Sequence, residues 1–463
     1  MTSTTEKRAT MKDILSKEKV EDLLQQAQTF DKNARTEIIN KARNYKGLSP
    51  LEAATLFYMD KDEEPALFSA AKQIKERIYG NRIVFFAPLY TSNVCTNNCL
   101  YCGFRAENTK IVRKTLTIDE IVAEARNIEA QGHKRILLVC GEDKNTEAEH
   151  VYNAVTAIYK NTGIRRINVN TAPLEIEDFK HIKTAGIGTY QLFQETYHRE
   201  TYTTMHPTGL KSDFDYRLGA MDRAYLAGID DFGIGVLLGL YDYKFDVVAS
   251  LLHAQYLDNK YNVGPHTVSI PRLRPAIGSA LTDIPNAVSD NELKRIVSIY
   301  RLAMPYTGII LSTRESAQLR NELLDLGVSQ MSAGSKTSPG GYEDIGNINA
   351  QFEIHDERTL DEMVDCVSSG GYLPSFCTAC YRSNRTGEVF MALAKDGSIH
   401  EFCQPNSILT FKENIEDYAS DEKKDAYNKI IDREVAKITN PKLKELLIKR
   451  LQQIEDGARD LYF

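Results

Sequence analysis

Eight short apolar runs, separated by amphipathic stretches, occupy the middle of this chain and restrict its fold more than any other feature. They fall at 84–88, 135–139, 166–170, 187–193, 231–238, 266–270, 308–312 and 328–332. Continuous apolar runs mark strands buried on both faces, and the helical stretches between them mark parallel crossovers. About eight such units in roughly 250 residues match a closed (β/α)8 barrel. The expected fold is therefore α/β, a TIM-type barrel over residues 81–345. Residues 1–80 read as a polar helical extension wrapped on the outside, and residues 346–463 as a mainly helical C-terminal domain.

Local signals support this division. Ser49-Pro50-Leu51-Glu52 opens a helix, with Ser49 as N-cap, Pro50 in the first turn and Glu52 completing a capping box. Thr117 and Glu120 repeat the box after the first strand. Pro88 is awkward inside the first run, because proline offers no ladder hydrogen, so a strand end is its expected place. Residues 333–350, rich in Gly, Ser and Pro, read as a loop leaving the barrel, and a helix is expected from Glu357 to Val367.

A chain of 463 residues is too long for one small core, and 42% hydrophobic with 26% charged residues is ordinary globular composition. The net charge of −7 argues against nucleic acid as a partner, which needs clustered Lys and Arg. The N-terminus lacks the apolar core of a signal peptide, and no apolar run is long enough to span a bilayer. No membrane association is expected, and the expected location is the cytoplasm, where thiols stay reduced.

Six of the eight cysteines form two triads. Cys95, Cys99 and Cys102 share one loop after the first strand, where barrel loops line the catalytic face. Three thiolates at this spacing can hold three corners of a [4Fe–4S] cluster, whereas a fourth would saturate it. No further Cys or His adjoins them, so one iron stays open to an outside ligand. A structural zinc site takes four closely spaced ligands, and a disulfide framework suits small secreted chains, not this one. The second triad is Cys377, Cys380 and Cys403, with two and twenty-two intervening residues. Spacing alone also allows a Cys3His zinc site completed by His400. Cys140 and Cys366 stand alone and read as small core residues.

The Cys95 loop resembles the signature of the radical S-adenosylmethionine (SAM) enzymes, in which the open iron chelates the amino and carboxylate groups of SAM. The resemblance makes the barrel one of radical SAM type. Gly141-Glu142, after the second strand, is similar to the family's Gly-Gly-Glu-like motif at the SAM amino group, with Cys140 in place of the first glycine. Glu195 resembles the ribose-binding carboxylate, which accepts hydrogen bonds from vicinal hydroxyls. Arg217 resembles the arginine that pairs with the SAM carboxylate. Tyr101 matches the aromatic between the last two cysteines, whose backbone lies near adenine. Without the resemblance, Gly141-Glu142 is a polar turn, and Glu195 and Arg217 are members of surface ion pairs.

Taken with the second triad, nearly the whole chain resembles the tyrosine lyases that serve as maturases of [FeFe]-hydrogenase. The 2-iminoacetate synthases of thiazole biosynthesis share the barrel and the lyase step but are shorter and lack the C-terminal triad. The resemblance implies that a 5′-deoxyadenosyl radical takes hydrogen from the amino group of L-tyrosine. Cleavage of the Cα–Cβ bond then gives p-cresol and dehydroglycine. It further implies conversion of dehydroglycine to carbon monoxide and cyanide on a second, C-terminal iron–sulfur cluster with an extra iron and bound cysteine. The product is an iron–carbonyl–cyanide–cysteine unit for the hydrogenase H-cluster. Implied partners are a low-potential electron donor (flavodoxin or ferredoxin) and other hydrogenase maturation proteins.

His266 is the implied ligand of the extra iron. It stands at the start of the sixth strand, on the bottom face of the barrel, where structural roles are the rule. The assignment requires the C-terminal domain to cap that face, with the barrel interior serving as a channel. Ser312, Thr313 and Arg314 end the seventh strand, and Arg314 can pair with the tyrosine carboxylate while the hydroxyls add hydrogen bonds. Arg272, Arg274 and Arg320 are rivals for that role. Three alternatives remain at this level: a lyase that stops at dehydroglycine, a non-enzymatic iron–sulfur scaffold, and an inactive barrel with structural zinc.

Overall fold

Each apolar run forms a strand because its neighbours in sequence are helices that cover it from outside. A computed structural model describes residues 11–143, 148–343 and 349–463. The strands are β1 (Arg82–Ser92), β2 (Arg135–Cys140), β3 (Arg166–Asn170), β4 (Tyr190–Gln191), β5 (Phe232–Gly235), β6 (Thr267–Ser269), β7 (Gly308–Leu311) and β8 (Gln330–Ser332). They pair in parallel in sequence order, and β1 joins both β2 and β8, which closes the barrel. All eight expected runs coincide with these strands.

β1 is longer than its neighbours, and its overhang seats the C-terminal segment. The short strand β9 (Leu373–Ser375) pairs with Arg82–Val84, on ground that β2 reaches only from Ala87 onward. The chain therefore re-enters the sheet at the bottom of the barrel, two residues before Cys377. One apolar core runs through all three segments, and Ala71, Ile296 and Phe411 belong to the same buried cluster. Among the described residues, no helix is long and apolar enough to cross a membrane.

Two local expectations need correction. Pro88 lies inside β1, not at its end. Phe86 and Pro88 face the β8 side, but β8 stops opposite Phe86. Proline's missing hydrogen has no ladder partner to lose there, and the Pro88 carbonyl accepts from Tyr342 Oη at 2.8 Å. The helix expected from Glu357 is Leu360–Ser369, because Thr359 and Glu362 close a capping box at that point. The boxes at Ser49 and Thr117 form as expected.

Candidate active site

β1 delivers the first cysteine loop to the top of the barrel, and hydrogen bonds from several directions hold it there. Thr96 N donates to Glu142 O at 2.9 Å, Leu100 N to Met205 O at 3.0 Å, and Gly103 N to Gln351 O at 3.0 Å. Asn97 Nδ2 lies 3.7 Å from Cys95 Sγ, and Phe104 N lies 3.4 Å from Cys102 Sγ. Donors aimed at sulfur favour thiolates. Burial opposes ionisation and pushes the free Cys99 thiol up to about 12 and Cys102 up to about 11. Such thiols ionise readily only when a metal replaces the proton.

Cys95, Cys99 and Cys102 line one cavity at the barrel mouth together with Tyr101, Gly141, Glu142, Glu195, Arg217, Ser312, Thr313 and Arg314. These residues come from the loops after β1, β2, β4 and β7. Gly141 is needed for close approach: a Cβ would stand 2.2 Å from the Val94 carbonyl, inside the cysteine loop. Glu142 is tied to the same loop, because its Oε2 accepts from Asn97 Nδ2 at 2.6 Å.

Glu195 follows β4 with φ at +71°, a left-handed conformation that costs a non-glycine residue about 1 kcal/mol or more. That conformation accompanies a buried charge cluster. Lys211 Nζ donates to Glu195 Oε1 at 2.6 Å, and Arg217 Nη2 lies 3.6 Å away. Burial alone would raise the Glu195 carboxyl, but Lys211 and Arg217 outweigh it and hold the group below its ordinary value. Arg217 also donates from Nε to Phe193 O at 2.8 Å, which fixes its plane. Tyr101 Oη lies 2.8 Å from His206 Nε2. His206 Nδ1 faces the Tyr202 carbonyl at 2.8 Å and must be its donor. Neutral Nε2 is then the acceptor, and the Tyr101 hydroxyl donates.

The rival arginines are committed elsewhere. Arg272 and Arg274 both bind Glu315, at 3.0 and 2.7 Å, and Arg320 pairs with Asp356. Arg314 is half-buried, its guanidinium 3.3 Å from the centre of the Phe352 ring, and has no carboxylate partner among the described residues. Cys140 and Cys366, expected in the core, are only half-buried. Cys140 lines the cavity, because it ends β2 at the barrel mouth, and Cys366 donates to Asn321 Oδ1 at 3.1 Å.

The second triad sits at the other end of the barrel. β9 leads into Cys377, the turn Ala379–Arg382 carries Cys380, and the helix His400–Tyr418 carries Cys403. The starts of two barrel strands reach it: Arg82 Nη2 donates to Cys403 Sγ at 3.4 Å, and Arg135 Nη2 to Cys377 O at 2.7 Å. His266, just before β6, stacks on Phe390 at 4.0 Å and faces Tyr381, the neighbour of Cys380, at 6.0 Å. The C-terminal segment thus covers the bottom face where His266 lies. The ten steps of β1 from Arg82 to Ser92 put roughly 30 Å of strand between the two ends.

Sequence reasoning missed Lys211, His206, Arg82 and Asp231. None belongs to a spaced motif, and each reaches its partner only through the fold.

Barrel and site together define a radical SAM enzyme. The Radical SAM superfamily model matches residues 89–253, and the Biotin and Thiamin Synthesis associated domain matches residues 269–373. The 2-iminoacetate synthase of Salmonella typhimurium is 35% identical over 313 residues, covering 67% of this chain and 81% of that protein. The solved structure of a HydG, a maturase of the [FeFe]-hydrogenase, is 49% identical with a TM-score of 0.94, covering 97% of this chain and all of that one. HydG from Carboxydothermus hydrogenoformans is 41% identical with a TM-score of 0.84, covering 96% of this chain. The chain belongs to the HydG family of [FeFe]-hydrogenase maturases and is a tyrosine-cleaving lyase that uses a [4Fe–4S] cluster and SAM.

Proposed function

We propose that the chain carries tyrosine cleavage through to carbon monoxide and cyanide, using its two ends for separate stages. At the top, Cys95, Cys99 and Cys102 hold the first cluster, which when reduced supplies the electron that releases a 5′-deoxyadenosyl radical from SAM. Glu142 takes the SAM amino group, Arg217 its carboxylate, Glu195 the ribose hydroxyls, and the Tyr101 backbone borders adenine. Arg314, with Ser312 and Thr313, takes the tyrosine carboxylate and turns the amino group toward SAM. At the bottom, Cys377, Cys380 and Cys403 hold the second cluster, and His266 binds an iron(II) that leaves in the product with cysteine, carbon monoxide and cyanide. Dehydroglycine, released at the top, is consumed there.

One observation carries this reading: β9 pairs with the overhang of β1 and seats the second triad under the barrel, with Arg82 on Cys403 and His266 against the Cys380 turn. A structural tail would not need cations directed at its thiols. Six thiols that must stay reduced favour the cytoplasm. The electron donor is a flavodoxin or ferredoxin, and the acceptors of the product are other hydrogenase maturation proteins.

The Cys377→Ala/Cys380→Ala double variant tests the division of labour. The expected result under anaerobic turnover is persistent p-cresol with a collapse of carbon monoxide and cyanide. Wild-type yields of all three would remove the second triad from the reaction.

A further inference from the structure

Asp231 immediately precedes β5 at the bottom of the barrel and is 4% exposed. Its Oδ2 lies 2.7 Å from His266 Nδ1. The other histidine–carboxylate contacts among the described residues, His181–Glu149 and His198–Glu200, use carboxylates exposed to solvent. The His266 pair is therefore the buried one, and burying a carboxylate costs several kcal/mol unless its surroundings repay it.

We propose that Asp231 is a positioning residue that makes His266 a ligand for the iron(II) consumed at the second site; the inference rests on the reading above. A carboxylate accepts and does not donate, so Nδ1 must carry the hydrogen. In a neutral imidazole the lone pair then resides on Nε2. Nε2 has no hydrogen-bond partner among the described residues. The ring cannot turn freely to exchange its nitrogens, because Phe390 stacks on it with centroids 4.0 Å apart and planes 22° apart. Tyr381 lies near-parallel at 6.0 Å, and its hydroxyl is held by Thr189 Oγ1 at 2.8 Å. The imidazole is thus fixed in plane, tautomer and neighbourhood, next to the turn that carries Cys380. Metal-bound histidines typically donate their other N–H to such a partner, which orients the ring and raises its basicity.

The test uses the full-length protein with both clusters reconstituted, as wild type and as Asp231→Leu, Asp231→Asn and His266→Ala. Iron(II) alone is titrated and followed by electron paramagnetic resonance. The 15N shifts of the His266 ring, in histidine-labelled cluster-free protein, report the tautomer. The SAM-dependent signal of the first cluster controls for folding. The expected result is iron(II) affinity lowered about 10- to 100-fold in Asp231→Leu. Both Asp231 variants should lose the Nδ1–H preference, since an asparagine amide can present either end to the ring. Should Asp231→Leu fail to fold, the tautomer in Asp231→Asn decides the question. Wild-type affinity with an unchanged tautomer overturns the proposal. If His266→Ala loses iron(II) but the Asp231 variants do not, only the role of Asp231 falls. If His266→Ala binds iron(II) normally, the ligand assignment beneath it falls as well.

Discussion

Arg82, the first residue of β1, donates from Nη2 to the sulfur of Cys403 at 3.4 Å, across 321 residues of sequence. The same strand ends at the loop that bears Cys95. One strand therefore touches both cysteine triads, one at each end.

A cation donating to a cluster thiolate favours the more reduced, more negative state. Arg82→Met should make the second cluster's reduction potential more negative. Loss of a charge-assisted bond of about 1.5–3 kcal/mol corresponds to roughly 65–130 mV for one electron. A redox titration followed by electron paramagnetic resonance measures it. Equal shifts at both clusters would point to a general disturbance instead of this contact.

Arg314 is the half-buried arginine at the barrel mouth that has no carboxylate partner among the described residues. Arg314→Met should raise the KM for tyrosine roughly 10- to 100-fold, the worth of one charge-assisted pair. Arg274→Met removes a bond to Glu315 and should appear in thermal stability before it appears in KM. Initial rates of p-cresol formation against tyrosine concentration separate the two. An unchanged KM in Arg314→Met would pass the carboxylate to another group.

Asp246 lies beneath the Glu195 loop and accepts from Thr196 Oγ1 at 2.9 Å and Tyr197 N at 2.7 Å. Burial still dominates and pushes its carboxyl up to about 7. A folded-state value above the unfolded one means that folding binds a proton. The contribution of Asp246 to stability is therefore largest in acid and falls as pH rises from about 4 through about 7. Asp246→Asn removes this dependence, so its stability relative to wild type should grow by roughly 1–3 kcal/mol between pH 5 and pH 8. Anaerobic denaturant curves at the two pH values check it. A difference that does not change with pH would show that Asp246 ionises freely in the fold.

The barrel was legible because a strand buried on both faces leaves an unbroken apolar run, and eight such runs leave few alternatives. The caps at Ser49 and Thr117 were legible for a similar reason, since their partners lie three residues away. β9 was not. Leu373-Pro374-Ser375 carries no strand pattern, and it is a strand only because β1 overhangs β2 by several residues and leaves bonding groups to fill. Pro88 was misread because the end of β8, not β1 itself, decides whether a missing hydrogen matters. Arg314 was separable from Arg272, Arg274 and Arg320 only once Glu315 and Asp356 were seen to occupy the others.

The sequence by itself determined the chemistry at the first triad and the number of strands, because both are written in short spacings: x3 and x2 between thiols, and a run of apolar residues per strand. Only the tertiary structure decided how the triads stand to one another. Closure of the barrel sets them at opposite ends of β1, and the overhang of that strand recruits the C-terminal segment beneath it. Lys211 on Glu195, Arg82 on Cys403 and Asp231 on His266 likewise join residues 16, 321 and 35 positions apart, and no short spacing encodes such contacts.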